Sequence, residues 1–333
     1  MKKIFLFVIS FILFSSNVLA SSIIMDIDSG RIFNEKSSNE VRLIASTTKI
    51  MTAILAIESN RLEDIVTAKE EVLSMYGSNI YLELNENMTL LDLVYGLMLR
   101  SGNDASVVIA NYVGGNIENF VKIMNKKAKE LGLTNTTFSN PNGLDDDTKN
   151  YSTAKDLAIL YAYAYKNKTF RDIVGTKYYK TTSDLKSYTW KNRNNLLFTY
   201  DKANGGKTGY TTKAGGTLVT FAKRGDQELI VVDLCAHGYE LYEDTIKMLN
   251  YGFNNYKTIA PFKTMNTVLK DDTYGFLKTG NELSPYKIPL KHLNDVTVML
   301  EKNQSASKLT YKCKDNKYII SYDGKQIGSV KLH

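Results

Sequence analysis

Three short motifs follow one another along this 333-residue chain: Ser46-Thr47-Thr48-Lys49, Ser101-Gly102-Asn103 and Lys207-Thr208-Gly209. They supply a nucleophilic hydroxyl, two amines able to act as base or charge clamp, and a polar Ser/Asn pair. That is the equipment of serine acyl transfer without a catalytic histidine. No single motif is specific. S-x-x-K recurs at Ser152-Lys155, Ser183-Lys186 and Ser305-Lys308, and K-T-G recurs at Lys278-Thr279-Gly280. Order and flanking residues select one set.

Ser46 and Lys49 lie three apart on a predicted helix over 46–59, so their side chains share a face. An alcohol needs a base within hydrogen-bond reach, and an amine becomes one when burial or a second cation lowers its pKa. Leu43-Ile44-Ala45 and Ile50-Met51 would bury the stem of Lys49, and Lys207 is the candidate second cation. A helix start also offers a backbone N–H to an oxyanion. The plainer reading of Ser46 is a helix N-cap, which leaves the apolar surroundings of Lys49 without a purpose. In Ser101-Gly102-Asn103 the hydroxyl can relay a proton, while the amide can orient a lysine and hold a substrate carbonyl. Alone, these three residues read as a turn and a cap. Lys207 and Gly209 share one side of a predicted strand and Thr208 takes the other; a glycine there lets a ligand approach the backbone. The glycines make no phosphate loop, because Asp201 stands where that pattern needs glycine. The second copy, Lys278-Thr279-Gly280, precedes Asn281 and Pro285 and reads as a surface turn. Ser152 and Thr153 read as helix caps, and Ser183 and Ser305 sit in polar stretches.

The elements that must position these residues come next. Strands are expected over 22–28, through Ile32 and Phe33, and as a hairpin of 217–222 and 228–236. Helices are expected over 90–99, over 116–131 with Phe120, Ile123, Met124, Ala128 and Leu131 inward, over 153–166 with Leu157, Leu160, Tyr161 and Ala164 inward, and over 241–253. Short apolar runs at 296–300 and 318–322 suggest a separate small β domain, beginning near 256–262. The N-terminus, with Lys2, Lys3, an apolar run from Ile4 to Phe14 and Val18-Leu19-Ala20, reads as a secretory signal cleaved after Ala20. The expected division is therefore 1–20 signal, 21–256 catalytic domain, 257–333 small β domain. A formal charge of +7, spread along the chain, suits a polyanionic wall or membrane surface and shows no nucleic-acid stripe. Cys235 and Cys313 read as buried free thiols, and His237, His292 and His333 have no partners at metal-ligand spacing.

With these motifs the sequence resembles the D-alanyl-D-alanine carboxypeptidases, low-molecular-mass penicillin-binding proteins. The match rests on 45–53, 101–105, Asn142-Gly143-Leu144-Asp145, 151–158 and 206–211 with Ala214-Gly215, and runs from about Ile23 to Tyr256. The resemblance implies an α+β, β-lactamase/transpeptidase-like fold: an antiparallel sheet flanked by helices, a helical lobe carrying Ser101, and a small all-β C-terminal domain. It implies that Ser46 is acylated by wall stem peptides ending in D-Ala-D-Ala and by β-lactams. Lys49 would be the base, Ser101 and Asn103 would relay protons and grip the peptide, and Lys207, Thr208 and Gly209 would bind the terminal carboxylate. The backbone N–H groups of Ser46 and Tyr210 would form the oxyanion hole, with no metal or organic cofactor. It also implies an extracytoplasmic enzyme of wall synthesis and cell shape. Three departures stand out. His237 to Glu243 holds no arginine where many members carry one for the carboxylate, Tyr210 replaces the usual His, and 326–333 reads as a strand where many members end in a membrane anchor. Peripheral membrane or wall association remains compatible with this. Two rivals share the motifs. A class A β-lactamase would need a deacylating Glu, and between Asn103 and Lys207 only Glu118 and Glu130 are available. A non-catalytic β-lactam- or wall-binding module would keep the fold without turnover.

Overall fold

The computed structural model describes residues 20–236, 240–259, 267–269, 274–279, 282–283, 288–289, 297–314 and 317–331, the four short stretches between 267 and 289 as backbone strands alone. Residues 1–19, where the signal is expected, and His237-Gly238-Tyr239 lie outside the described residues.

A five-stranded sheet organises the fold. Its strands are β1 (Ser21–Asp26), β2 (Ile32–Lys36), β3 (Ala203–Thr211), β4 (Gly215–Arg224) and β5 (Gln227–Ala236). They lie in the order β2-β1-β5-β4-β3, antiparallel throughout. The chain's first strand thus pairs with its late hairpin, Ser21 opposite Leu234 and Asp26 opposite Leu229. Both faces are covered, which is why β1 and β5 are almost continuously apolar. Ile23, Met25, Ile230, Val232 and Leu234 face the main core, and the alternate residues Ile24, Leu229 and Val231 face a second one.

The main core is built on α1 (Lys49–Glu58), whose residues from Lys49 to Ile57 are all buried. A helix apolar on every side belongs in an interior, and each buried Ile or Leu there contributes ~1.5–3 kcal/mol relative to exposure. Around it lie α2 (Leu90–Tyr95), α3 (Asn103–Gly114), α4 (Ile117–Glu130), α5 (Ala154–Tyr165) and α6 (Lys168–Gly175). Asn116 caps α4 through the Asn119 amide at 2.8 Å, and Thr153 caps α5 through the Asp156 amide at 3.0 Å. Phe120, Met124 and Ala128 point inward from α4 as the 3.6-residue period requires, but Ile123, expected with them, is 37 % exposed at the edge of that stripe. A short α7 (Leu196–Thr199) leads into β3, and α8 (Glu240–Asn255) covers the second core with Leu249 and Phe253.

A β region completes the chain. Tyr256–Ile259 pairs with Val298–Glu301, and Leu309–Lys314, Lys317–Tyr322 and Lys325–Lys331 form a meander. Met299 and Tyr256 enter the second core, where Tyr256 stacks on Phe33 at 3.9 Å. Lys278 and Thr279 end the strand Tyr274–Thr279 and pair with Leu283 and Glu282, so they belong to a hairpin strand where a turn was expected; Gly280 lies outside the described residues. Cys235 is free but only partly buried, with a φ of 65° at the end of β5, correcting the expectation of a buried thiol. The side chain of Cys313 lies outside the described residues.

Candidate active site

Ser46 does not begin the α-helix. It sits in one 3-10 turn, Ala45–Thr48, and α1 starts at Lys49. Its hydroxyl caps neither helix. Ala45, just before it, holds a φ of 45°, a left-handed conformation costly for any residue with a Cβ. Thr47 ties the turn through its hydroxyl to the Ile44 carbonyl at 2.6 Å, and Thr48 accepts from the Asn150 amide at 2.9 Å. The two threonines of the motif are therefore scaffolding, and Ser46 is left partly exposed above them.

Lys49 is fully buried. Its Nζ donates to Ser46 Oγ at 3.0 Å, Asn103 Oδ1 at 2.8 Å and the Asn142 carbonyl at 2.5 Å. All three partners are neutral. Burial pushes the amine well below its usual pKa, and the nearby cations Lys207 and Arg193 push it further, with Asp104 opposing. Lys207 is buried as deeply, and its Nζ donates to Ser101 Oγ at 3.0 Å and the Thr208 carbonyl at 2.6 Å. Burial, then the charge of Arg193, lower it to about 7. The second cation expected beside Lys49 is thus present, and Arg193 is a third that the sequence did not single out.

Ser101 and Asn103 reach the lysines through an irregular helix junction. After α2 the chain makes a π turn over Gly96–Arg100, and Ser101 then takes a φ of 63°. This break separates Ser101 from α2 and turns it toward Lys207. Asn103 begins α3; its Oδ1 accepts a hydrogen bond from Lys49 Nζ and its Nδ2 donates to the Tyr76 carbonyl at 2.7 Å. One amide N–H is therefore committed to the protein, leaving one for a substrate. The Asp104 carboxylate accepts from the amides of Ile80, Tyr81 and Leu82 at 3.0, 2.7 and 3.1 Å and fastens that loop over the junction.

On β3, Lys207 is buried, Thr208 and Gly209 are partly exposed and Tyr210 is 71 % exposed. A Cβ on Gly209 would lie 2.4 Å from Thr217 Oγ1 and 2.8 Å from the Ser46 amide nitrogen. The glycine is required because the turn that carries Ser46 packs directly on it. Gly143, with a φ of 89°, clasps the same peptide from another side, where a Cβ would lie 1.9 Å from the Ala45 carbonyl oxygen.

Comparisons with known proteins follow this geometry. The peptidase S11 family model, described as D-alanyl-D-alanine carboxypeptidase, matches residues 16–238. The chain belongs to this family. It is 35 % identical over 322 residues to the D-alanyl-D-alanine carboxypeptidase DacF of Bacillus subtilis, covering 94 % of this chain and 80 % of that one. It is 33 % identical to DacA of Haemophilus influenzae, covering 93 % and 82 %. Among solved structures, a D-alanyl-D-alanine carboxypeptidase from Mycobacterium tuberculosis superposes with a TM-score of 0.68 at 30 % identity, over 70 % of this chain and 90 % of that one. A variant of the Streptomyces K15 DD-transpeptidase gives 0.67 at 33 % identity, over 70 % and 97 %. The fold is accordingly the penicillin-binding-protein fold, with the β region appended at the C-terminus.

Within this peptidase the other motif copies serve structure. Ser152 Oγ lies 2.8 Å from Thr136 Oγ1, Ser183 Oγ accepts from the Leu185 and Lys186 amides at 3.2 and 3.1 Å, and Ser305 caps a turn at Ser307. Glu118 pairs with Lys122 and Glu130 with Lys127 on the outer face of α4, so neither approaches Ser46. The residues that motif reading missed lie in the 140–150 loop. Asn140 Oδ1 accepts from the Gly143 amide at 2.7 Å, Asn150 Oδ1 from the Ser139 amide at 2.7 Å, and Asp145 Oδ2 from Thr211 Oγ1 at 2.6 Å. The turn-forming string Asn140-Pro141-Asn142-Gly143 marked a turn here, but nothing in its types announced a carbonyl aimed at a lysine.

Proposed function

We propose that the chain is a serine D-alanyl-D-alanine carboxypeptidase that removes the terminal D-alanine from wall stem pentapeptides through an acyl-enzyme on Ser46. The observation that carries this is Lys49: a fully buried amine, 3.0 Å from the hydroxyl, surrounded by neutral acceptors and depressed by two cations. Burial and the nearby cations push this amine toward its neutral form, the form that can take the Ser46 proton as the hydroxyl attacks. The carbonyl oxygen that becomes negative would be held by the N–H groups of Ser46 and Tyr210. Ser101, held by Lys207, is the relay that returns a proton to the leaving amine. The arriving substrate carboxylate would raise the pKa of Lys207 and restore its charge, so binding and clamping reinforce each other. Arg193, within electrostatic reach of both lysines, supplies positive charge in a region where the expected arginine after the hairpin is missing.

β-Lactams would acylate the same serine. Glu118 and Glu130, the only glutamates between Asn103 and Lys207, are paired on α4 away from Ser46, which argues against a class A β-lactamase. The reading needs no metal, organic cofactor or nucleic acid. We place the protein outside the cytoplasmic membrane, with the signal removed after Ala20. The start of β1 at Ser21 supports that site, since the first residue after cleavage already pairs in the central sheet. Among the described residues no helix is long and apolar enough to cross a membrane, and we propose release into the wall space or peripheral attachment there. Residues 21–256 would act as the catalytic unit and 257–333 as its β-rich appendage. The test is mass spectrometry of products from a wall pentapeptide, with a penicillin adduct mapped in parallel. Loss of one terminal alanine and an adduct on Ser46 are expected; an adduct on Ser152, Ser183 or Ser305, or an untouched peptide, would overturn the proposal.

A further inference from the structure

At Arg100, the residue before Ser101, the structure opens a cavity of about 590 Å³, lined also by Lys191, Arg193, Phe198 and Tyr242. No described carboxylate lines it. Three cations facing one concave space repel one another, and Arg100 and burial together lower the pKa of the Arg193 guanidinium. Arg193 has a partner in Ser78 Oγ. Arg100 and Lys191 have no ion pair or side-chain hydrogen bond among the described residues, and Lys191 Nζ rests over the Phe198 ring at 4.7 Å, with Lys177 Nζ at 5.8 Å on the same ring. Asp145 and Asp146 are held elsewhere by Thr211, Tyr76 and Lys213, and Glu240 and Glu243, which flank Tyr242 on α8, do not line the cavity. Cations gathered in a cleft with no carboxylate in its lining mark a place for an anion.

Its position says which anion. Arg100 precedes Ser101, the relay to the departing amine, and Arg193 is within electrostatic reach of Lys207, the proposed clamp on the departing alanine's carboxylate. By microscopic reversibility an amine that attacks the acyl-enzyme enters where D-alanine leaves. D-alanine has one carboxylate and a methyl group, and needs neither the volume nor the additional cations. We infer that this cavity receives the side-chain carboxylate of an incoming acidic D-amino acid, so that the enzyme transfers wall-peptide acyl groups to acidic D-amino acids as well as to water. In that step the acceptor nitrogen bonds to the acyl carbon, the bond from that carbon to Ser46 Oγ breaks, and the proton lost by the amine returns to the serine oxygen. Nothing is oxidised or reduced. The inference rests on the acyl-enzyme of the proposed function.

The test compares near-isosteres. A peptide ending in D-Ala-D-Ala is turned over with no acceptor, then with D-glutamate, D-glutamine or D-alanine, and the ratio of transfer product to hydrolysis product is read by mass spectrometry. This ratio cancels changes in acylation. D-Glutamate should exceed D-glutamine by roughly 3- to 10-fold at low salt, the scale of one or two partly exposed ion pairs, and the advantage should shrink as salt rises. Arg100→Gln with Lys191→Gln should bring the two acceptors within about 2-fold, and Lys191→Arg should keep the preference. Equal transfer to both acceptors, transfer to neither, or a preference that survives in the double variant overturns the inference while leaving the carboxypeptidase intact. If no D-alanine is released without acceptor, the proposed function and the inference fall together.

Discussion

Gly209→Ala tests the geometry of the nucleophile with a single added carbon. Its Cβ would lie 2.8 Å from the Ser46 amide nitrogen, 3.2 Å from Ala45 Cβ and 2.4 Å from Thr217 Oγ1, whereas ordinary contact begins at 3.4 Å. Thr217 can rotate, although its hydroxyl bonds the Ile44 carbonyl at 3.3 Å. The Ser46 nitrogen is backbone and cannot rotate away. The turn must therefore withdraw by ~0.6 Å, the gap between that contact and an ordinary one. Withdrawal is blocked on another side, because Gly143 packs on the Ala45–Ser46 peptide without room for a carbon. A misplacement near 1 Å at a reacting centre costs on the order of 100-fold, so the displacement here should cost about 10- to 100-fold in acylation. The assay is the second-order rate of penicillin acylation, read with the melting temperature, and Thr217→Ala controls for the lost hydroxyl. A rate within about 2-fold of the parent and an unchanged melting temperature would refute the clasp, given how steeply rate follows position.

Three further outcomes are expected. Lys49→Ala should lose ~10²- to 10⁴-fold in acylation rate while the fold persists, as removal of a general base does; an unaffected rate rules Lys49 out. Lys207→Ala should lower kcat/KM for a D-Ala-D-Ala peptide by about 10-fold or more, the value of one charge-assisted hydrogen bond, and Lys278→Ala by less than about 2-fold; equal losses would bring the β region into catalysis. Asp233, raised by burial and by Asp244 from 3.8 to about 7, keeps its proton in the folded state while the unfolded chain gives it up, so stability should fall as pH rises from about 4 to about 7 and level off above. Asp233→Asn should flatten part of that decline in urea unfolding at pH 5 and 8, and an identical decline in both proteins refutes the assignment.

The groups proposed to react, which the structure brings into contact, were legible because their chemistry leaves few substitutes. A serine nucleophile without histidine needs an amine, and the amine needs burial, which the apolar flanks of Lys49 announced. Strands β1, β4 and β5 and the caps Asn116 and Thr153 were legible for a similar reason, since local patterning alone specifies them. What could not be read was long-range. The 3-10 turn at Ser46 replaces an expected helix start because Gly143 and Gly209, far away in sequence, press on it. The π turn before Ser101 has no local signature, and neither does the Asn142 carbonyl, since any residue carries one. The hairpin Tyr178–Thr182 and Ser187–Lys191 went unread although its burial alternates, with Tyr188 and Trp190 turned inward.

The two lysines explain one another, and this accounts for the buried charge the fold carries. A lone buried amine could be neutral through desolvation alone, but it would then be indifferent to substrate. Here Lys49 also responds to Lys207, and Lys207 to Arg193. In the proposed mechanism, burial and the positive charge on this side favour the basic form of Lys49 before substrate arrives. When a carboxylate reaches Lys207, that amine is drawn toward its charged form and continues to oppose protonation of Lys49. In the proposed mechanism, once Lys49 has taken the Ser46 proton, the repulsion would favour passing it on through Ser101, whose oxygen already accepts from Lys207 at 3.0 Å, to the leaving nitrogen. Asp104 tempers the field without entering the circuit, because its oxygens are spent on the 80–82 amides. A carboxylate placed directly on either lysine would fix its proton and stop the relay. The site therefore keeps its acid behind the helix junction and surrounds its bases with amides, hydroxyls and carbonyls.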